Sequence, residues 1–324
     1  MRPSWARRWA WIGTDCPRLR LDFPDLPPVH LPEWKGAEVG ALADGVIQHF
    51  NEGYALGRQR PDWRLGRVSV GRLWTVTLHC HSWVYRLAST AVAGDSEAEL
   101  ASTLLQNYVS DWMDHCSLTS PGARELAWNA YAVATRLAWW IRSYELLGRM
   151  LRARRADFEA AFLRSTWQQA AYLHDHIEWD VRANHLMRNA VGLAYAGRFF
   201  GEPQAGRWLR TATALVADQA REQVLPDGGH YERSPMYHIH IMEDLLVLGA
   251  LVDDPGVRSQ ICETWRHMAE YLAWLRHPDS AIPLFNDAAL NGACAPEGML
   301  QLADKLTVAV NLSRRVAGRH FADT

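Results

Sequence analysis

A chain of 324 residues, 48% hydrophobic and 22% charged, can bury a large core and has the composition of a soluble globular protein. Its net charge of −2 excludes the strongly basic surface by which proteins hold nucleic acid or anionic membranes non-specifically. Five cysteines (Cys16, Cys80, Cys116, Cys262, Cys294), odd in number and without a CxxC pair, argue against a disulfide framework and a zinc knuckle.

Residues 1–35 are rich in Pro and Arg and read as an irregular, wrapping arm. The opening "MRPSWARRWAWIGTDCPRLRL" has no continuous apolar stretch of signal-peptide length. As written, the chain is expected in the cytoplasm, or in the periplasm or medium if a leader has been removed. Residues 36–324 are expected to form one helical domain. Runs 37–56 and 72–90 read as helices, with "RLGRVSV" (64–70) the one strand candidate. "SEAELASTLLQNYVSDWMDHC" (96–116) opens with a capping box, Ser96 with Glu99, and continues with apolar residues at helical spacing. "SPGARELAWNAYAVATRLAWWIRSYELL" (120–147) sets a Ser cap before Pro at the first helical position. Ser234-Pro235 and Asp254-Pro255 repeat that signal, and further helical runs span 157–177, 183–200, 205–222, 256–276 and 296–316. About ten helices joined by short loops predict an all-α fold of antiparallel hairpins, closed into a ring or stacked as a solenoid. No fixed 34- or 40-residue consensus recurs, which disfavours the regular solenoids.

Candidate chemistry gathers in two segments. Six of the 14 histidines (His174, His176, His185, His230, His238, His240) fall between 174 and 240. In "HDHIEWDVRANHLMRNAVGLAYAGRFFG" (174–201), Asn184 and Arg188 share a helix face at i, i+4, and Asn184 taken alone reads as a cap rather than a catalyst. The small residues of "AVGLAYAG" allow close helix packing. In "LPDGGHYERSPMYHIHIMEDLL" (225–246), Ser234 caps a helix and Tyr237 falls in its first turn, where the dipole favours a phenolate or an anionic substrate group. "PDGG" is turn chemistry that returns His230, Tyr231 and Glu232 across that helix mouth.

Metal binding is the rival reading for His174, His176 and Glu178, for His238 with His240, and for "HCH" (79–81). HExxH is absent, and an i, i+2 pair on a helix diverges, so no metal and no cofactor are expected. GxSxG, Walker A and GxGxxG signatures are absent too. Sixteen tryptophans against eight phenylalanines are expected mainly in the core, as for Trp112, Trp139 and Trp140, with a minority as stacking platforms for sugar rings.

"NHLMRNAVGLAYAGRFFGEPQAGRW" followed by "EQVLPDGGHYERSPMYHIHIMEDLL" resembles the N-terminal domain of the heparinase II/III-like polysaccharide lyases. "LWTVTLHCHSWV" (73–84), "AWNAYAVATRLAWWI" (127–141) and "IPLFNDAA" (282–289) match weaker blocks of that family in the same order. The resemblance implies an incomplete (α/α) toroid, without the C-terminal β-sandwich of the family, and β-elimination on uronic-acid polysaccharide. It gives Tyr237 as the catalytic tyrosine and Asn184 as the residue that neutralises the uronate carboxylate, with His185 beside it; support from Arg188 or Arg233 is expected from their charge. His185 or His238 shares proton transfer, and Arg136, His230, Glu232, Trp128 and Tyr131 complete the substrate-binding set. Asn184 and Tyr237 are then expected on a common groove. The alternative is a non-catalytic glycan-binding toroid, or a subunit needing a partner chain that carries the sandwich. The partner in either case is an acidic polysaccharide or oligosaccharide. The near-neutral charge favours a bacterial exopolysaccharide or oligosaccharide over heavily sulfated chains.

Overall fold

A computed structural model describes residues 8–11, 16–27, 39–49, 52–57, 61–64, 71–94, 96–289 and 292–302. They divide between two compact units, one within Met1–Phe23 and Trp34–Ala212, the other within Pro24–Glu33 and Thr213–Thr324.

In the first unit, the expected helix over 37–56 is instead a short helix and a hairpin. Helix α1 (Val39–Ala43) stops at Gly45, whose φ of 76° suits glycine. Strands β1 (Val46–His49) and β2 (Glu52–Ala55) then pair antiparallel, with alternating burial along β1. The strand candidate 64–70 lies outside the described residues except for Arg64, which sits in a turn.

The expected helix 72–90 is broken into α2 (Arg72–Leu78) and α3 (Ser82–Ala93) by His81, whose φ is 61°. Side chains stabilise the break. Arg136 donates to the His79 carbonyl at 2.6 Å, and the indoles of Trp112 and Trp140 donate to Nδ1 of His79 and His81. Both imidazoles are buried, and burial pulls His79 down to about 3, so both serve as neutral acceptors in the core.

Helix α4 (Ala98–His115) starts behind Glu97 without a side-chain cap bond, so the Ser96–Glu99 capping box is not formed. Helix α5 (Ala130–Arg154) starts ten residues after Ser120, capped by Asn129. The hydroxyls of Ser117, Thr119 and Ser120 bond one another instead, and Gly122 (φ 71°) turns the chain. Helix α6 (Ala156–Asp175) packs against α5, as does α7 (Ala183–Phe199). The α5–α7 contact is close because Gly192 has no side chain: a Cβ there would lie 2.7 Å from the Ala134 Cα. Gly197 does the same against Leu209 in α8 (Pro203–Gln223). The N-terminal segment docks on this corner, with Gly201 N donating to Arg18 O and Arg20 N to Phe199 O.

In the second unit, α9 (Pro235–Leu251) and α10 (Pro255–Leu275) form a packed pair, and both cap-then-proline starts form. The Ser234 hydroxyl accepts from Tyr237 N, and the Asp254 carboxylate accepts from Val257 N. The last run, 296–316, is described only to residue 302, where it is helical. Among the described residues no helix is long and apolar enough to cross a membrane.

Candidate functional site

Two polar clusters form, one in each unit. In the first, the chain enters α7 through Arg182 (φ 64°) and Ala183 (φ 53°), two successive non-glycine residues in a region that strains L side chains. Arg182 takes the cap position, without a side-chain cap hydrogen bond, so Asn184 is not the cap. Asn184, His185 and Arg188 follow in the first turns, all partly exposed. The His185 imidazole Nδ1 lies 3.0 Å from Glu178 Oε1 and its ring packs 4.9 Å from that of Tyr131. The Arg188 guanidinium sits 6.0 Å from the Tyr131 ring. The second oxygen of Glu178 accepts from the buried Asn189 amide at 3.0 Å. Trp179, next to Glu178, is 62% exposed, unusual for an indole in a chain whose other tryptophans are mostly interior.

Three residues expected to bind substrate lie in the interior, His230 in the second unit and two in the first. Arg136 is fully buried, donates to His79 O and Gln169 Oε1, and stacks 4.2 Å from the Trp112 ring. Burial lowers its pKa to about 9. Trp128 is 3% exposed and spends its indole N–H on the Cys116 carbonyl. Both positions are corrected from substrate contact to core support, because neither offers a free surface.

In the second unit, "PDGG" forms the tight turn expected of it. Asp227 accepts from Gly229 N, and Gly228 (φ 85°) lies so close to α10 that a Cβ would meet the His267 carbonyl at 2.3 Å. The turn returns the chain to α8, where Tyr231 N donates to Gln223 O. A directed hydrogen-bond chain follows. Gln223 Nε2 donates to Gln219 Oε1, so Gln223 Oε1 accepts from His230 Nε2 at 3.1 Å. His238 Nδ1 accepts from His230 N, which makes its Nε2 the donor to Met268 O at 3.0 Å. Both imidazoles are therefore neutral, and burial holds His230 down to about 3 and His238 down to about 4. His238, at 1% exposure with both nitrogens used, is corrected from proton transfer to structural support.

Tyr237 is partly exposed at the start of α9. The helix start does not produce a phenolate. Burial first, then the acidic Asp287 and Glu232, raise the Tyr237 pKa above its ordinary value, and Asp287 hydrogen-bonds the hydroxyl. Asp287 comes from the "IPLFNDAA" block, whose Asn286 donates to Arg233 O at 2.6 Å and so ties that loop to the entry of α9. Arg233 itself has φ 56°. Glu232 Oε1 lies 3.8 Å from His230 Nε2. Asn184, His185, Arg188 and Tyr131 are thus one group, and His230, Glu232, Arg233, Tyr237 and His238 another. The sequence reading missed Asp287, Gln223 and Trp179, and raised Glu178 only as a metal ligand. All four lie within segments that carry the family resemblance or the histidine cluster, but nothing in their local spacing marks a role.

Comparison with known proteins adds a history to this geometry. The model described as Heparinase II/III N-terminus matches residues 37–301. A heparin-sulfate lyase of Bacteroides stercoris is 24% identical over 288 residues, 79% of this chain and 42% of that protein. One from Bacteroides thetaiotaomicron is 25% identical over 227 residues, 65% of this chain and 31% of the relative. A crystal structure of heparinase III superimposes with a TM-score of 0.68 at 21% identity, covering 89% of this chain and 47% of that one. The likeness establishes the all-α, toroid-class fold. The chain spans less than half the length of each of these relatives.

Proposed function

Since the chain belongs to the heparinase II/III family through its N-terminal helical domain, we propose that it cleaves uronic-acid-containing polysaccharide by β-elimination. The observation that supports this reading most is the start of α7. There an amide, an imidazole and a guanidinium stand partly exposed behind a strained entry through Arg182 and Ala183. Such a group suits a reaction that must hold a carboxylate while a proton leaves the neighbouring carbon.

In the elimination, a base takes the C5 proton, the C5–H electrons form the C4=C5 bond, and the C4–O bond breaks with its electrons on the leaving oxygen. That oxygen then takes a proton. Asn184, with Arg188 or Arg233, neutralises the uronate carboxylate and so stabilises the enolate-like intermediate. His185 takes the C5 proton. Tyr237, held protonated by burial and by Asp287, gives its proton to the leaving oxygen. The exposed Trp179 offers an apolar face to a sugar ring. The relatives are heparin-sulfate lyases, so heparan sulfate belongs in the substrate panel. The net charge of −2 favours chains with little sulfate.

The test is the ultraviolet absorbance of the unsaturated uronate product, with Tyr237→Phe and Asn184→Ala compared with the unaltered chain. Both variants are expected to lose activity while staying folded; wild-type rates in both would sink the assignment. A second reading rests on the span of the match, less than half of each relative. In that reading the chain binds glycan without cleaving it, or needs a partner chain that carries a β-sandwich. Turnover by the purified chain alone would remove it.

A further inference from the structure

Glu178 lies outside the first turns of α7, yet three hydrogen bonds bind its residue to them. Its Oε1 lies 3.0 Å from His185 Nδ1, its Oε2 accepts from Asn189 Nδ2 at 3.0 Å, and its backbone N–H donates to Asn189 Oδ1 at 2.9 Å. The last two bonds fix the amide of Asn189, which is fully buried: Oδ1 must face the N–H, so Nδ2 must face the carboxylate. The chain reaches this position through a tight turn, with Val181 N and Arg182 N both donating to Glu178 O, followed by the positive-φ pair Arg182 and Ala183. Backbone strain is thus spent on placing one carboxylate against one histidine.

We propose that Glu178 is a positioning residue that fixes His185 as its Nδ1–H tautomer, leaving Nε2 as the lone-pair nitrogen available to take a proton. A carboxylate accepts at both oxygens, so it satisfies Asn189 and His185 together. Neutral imidazole otherwise exchanges between two tautomers, and only the one with a bare Nε2 can act as a base at that atom. The role in proton transfer rests on the lyase reading above; the tautomer assignment does not.

Glu178→Gln gives a sharp test because the amide has one acceptor and one donor end. Asn189 is buried and its orientation is held by a backbone N–H, so the Gln oxygen must stay with Asn189 Nδ2. The Gln amide nitrogen then faces His185 Nδ1, which must become an acceptor. His185, 34% exposed at its side chain, can comply by moving its proton to Nε2. The substitution therefore inverts the tautomer without changing the packing.

The measurement is the ring-nitrogen spectrum of His185 in the full chain labelled with ¹⁵N-histidine, in mildly alkaline buffer where imidazole is neutral. His185→Gln identifies the signals. The expected result is Nδ1–H in the unaltered chain and Nε2–H in Glu178→Gln. An Nε2–H tautomer in the unaltered chain, or no change in the variant, overturns the proposal. If Glu178→Gln fails to fold, Glu178→Ala is expected to show a majority of Nε2–H, and an unchanged Nδ1–H signal there overturns it equally. On any uronate polymer that the unaltered chain cleaves, Glu178→Gln is expected to lower kcat by about 10- to 1,000-fold with KM little changed. An inverted tautomer with full kcat overturns the positioning role. A chain that cleaves no uronate polymer but shows the inversion refutes the lyase reading and leaves the tautomer assignment standing.

Discussion

The starts of α7 and α9 look alike in sequence, each gathering His, Arg, Glu and Asp at the mouth of a helix, but they are built on opposite principles. The α9 start is closed. Ser234 caps it, Pro235 opens it, and His230 and His238 are buried and neutral in a directed hydrogen-bond chain. The α7 start is open and strained, with no side-chain cap and a carboxylate bound to a partly exposed imidazole. Histidine density therefore points to a candidate site only once burial has separated the imidazoles that hold the fold from those that face solvent. Tyr237 is the exception at the closed start, and there the environment raises its pKa and keeps it an acid.

The sharpest way to break this contrast is to delete one histidine from each side. His185→Ala is expected to cost about 10²- to 10⁴-fold in kcat with little change in the urea midpoint. His238→Ala is expected to do the reverse. It strands Met268 O and His230 N and leaves a cavity, for a loss of about 2–4 kcal/mol, with kcat retained in the folded fraction. Denaturation and steady-state rates on both variants decide the matter, and the same profile for both would erase the distinction.

Acid supplies the next test. His230 and His238 ionise in the fold only near 3 and 4, below the ordinary 6.5 of the unfolded chain. Between those values the unfolded chain binds more protons, so stability is full above about pH 6.5 and falls as pH drops towards the folded values. The loss by pH 5 is expected to be on the order of 1–2 kcal/mol for each buried histidine. Urea midpoints from pH 7.5 to 5 measure it, and His238→Gln should flatten the curve. An unchanged slope in that variant would assign the acid sensitivity elsewhere.

The smallest effect separates the two caps. Ser234→Ala is expected to cost about 1 kcal/mol, because Tyr237 N loses its acceptor. Asn184→Ala, at a start that Asn184 does not cap, is expected to change thermal stability by less than that. Equal losses would return Asn184 to a capping role.

Much of the fold is legible where a local signal has one physical meaning. Ser-Pro and Asp-Pro mark the starts of α9 and α10, and the glycines of "AVGLAYAG" mark a close helix contact, because these depend on neighbours in the chain. Two of the failures share a cause. The break at His81 and the buried place of Arg136 are set by partners far along the chain: Trp112, Trp140 and Gln169. The α7 start was legible as Asn184 and His185, but not Glu178, since Glu178 lies before the turn that enters α7, where helical spacing does not relate it to His185. At the α9 start, Tyr237 was legible from its cap, whereas the acid that sets its pKa arrives from residue 287.

The N-terminal segment, bound at Arg18 and Arg20 to the corner at Phe199–Gly201, bears on how the chain is made. Arg18 and its partner Glu202 are 184 residues apart. At roughly 5–20 residues per second of synthesis, Arg18 waits on the order of 10–40 seconds before its acceptor exists. Helices α3 to α7 can gather while the ribosome is still at work, whereas this bridge joins early-made residues of its unit to some of the last. Contacts of such long separation close late and slowly. Through that interval the polar backbone of residues 18–20 stands open, which makes the growing chain more vulnerable to misassembly than the finished one.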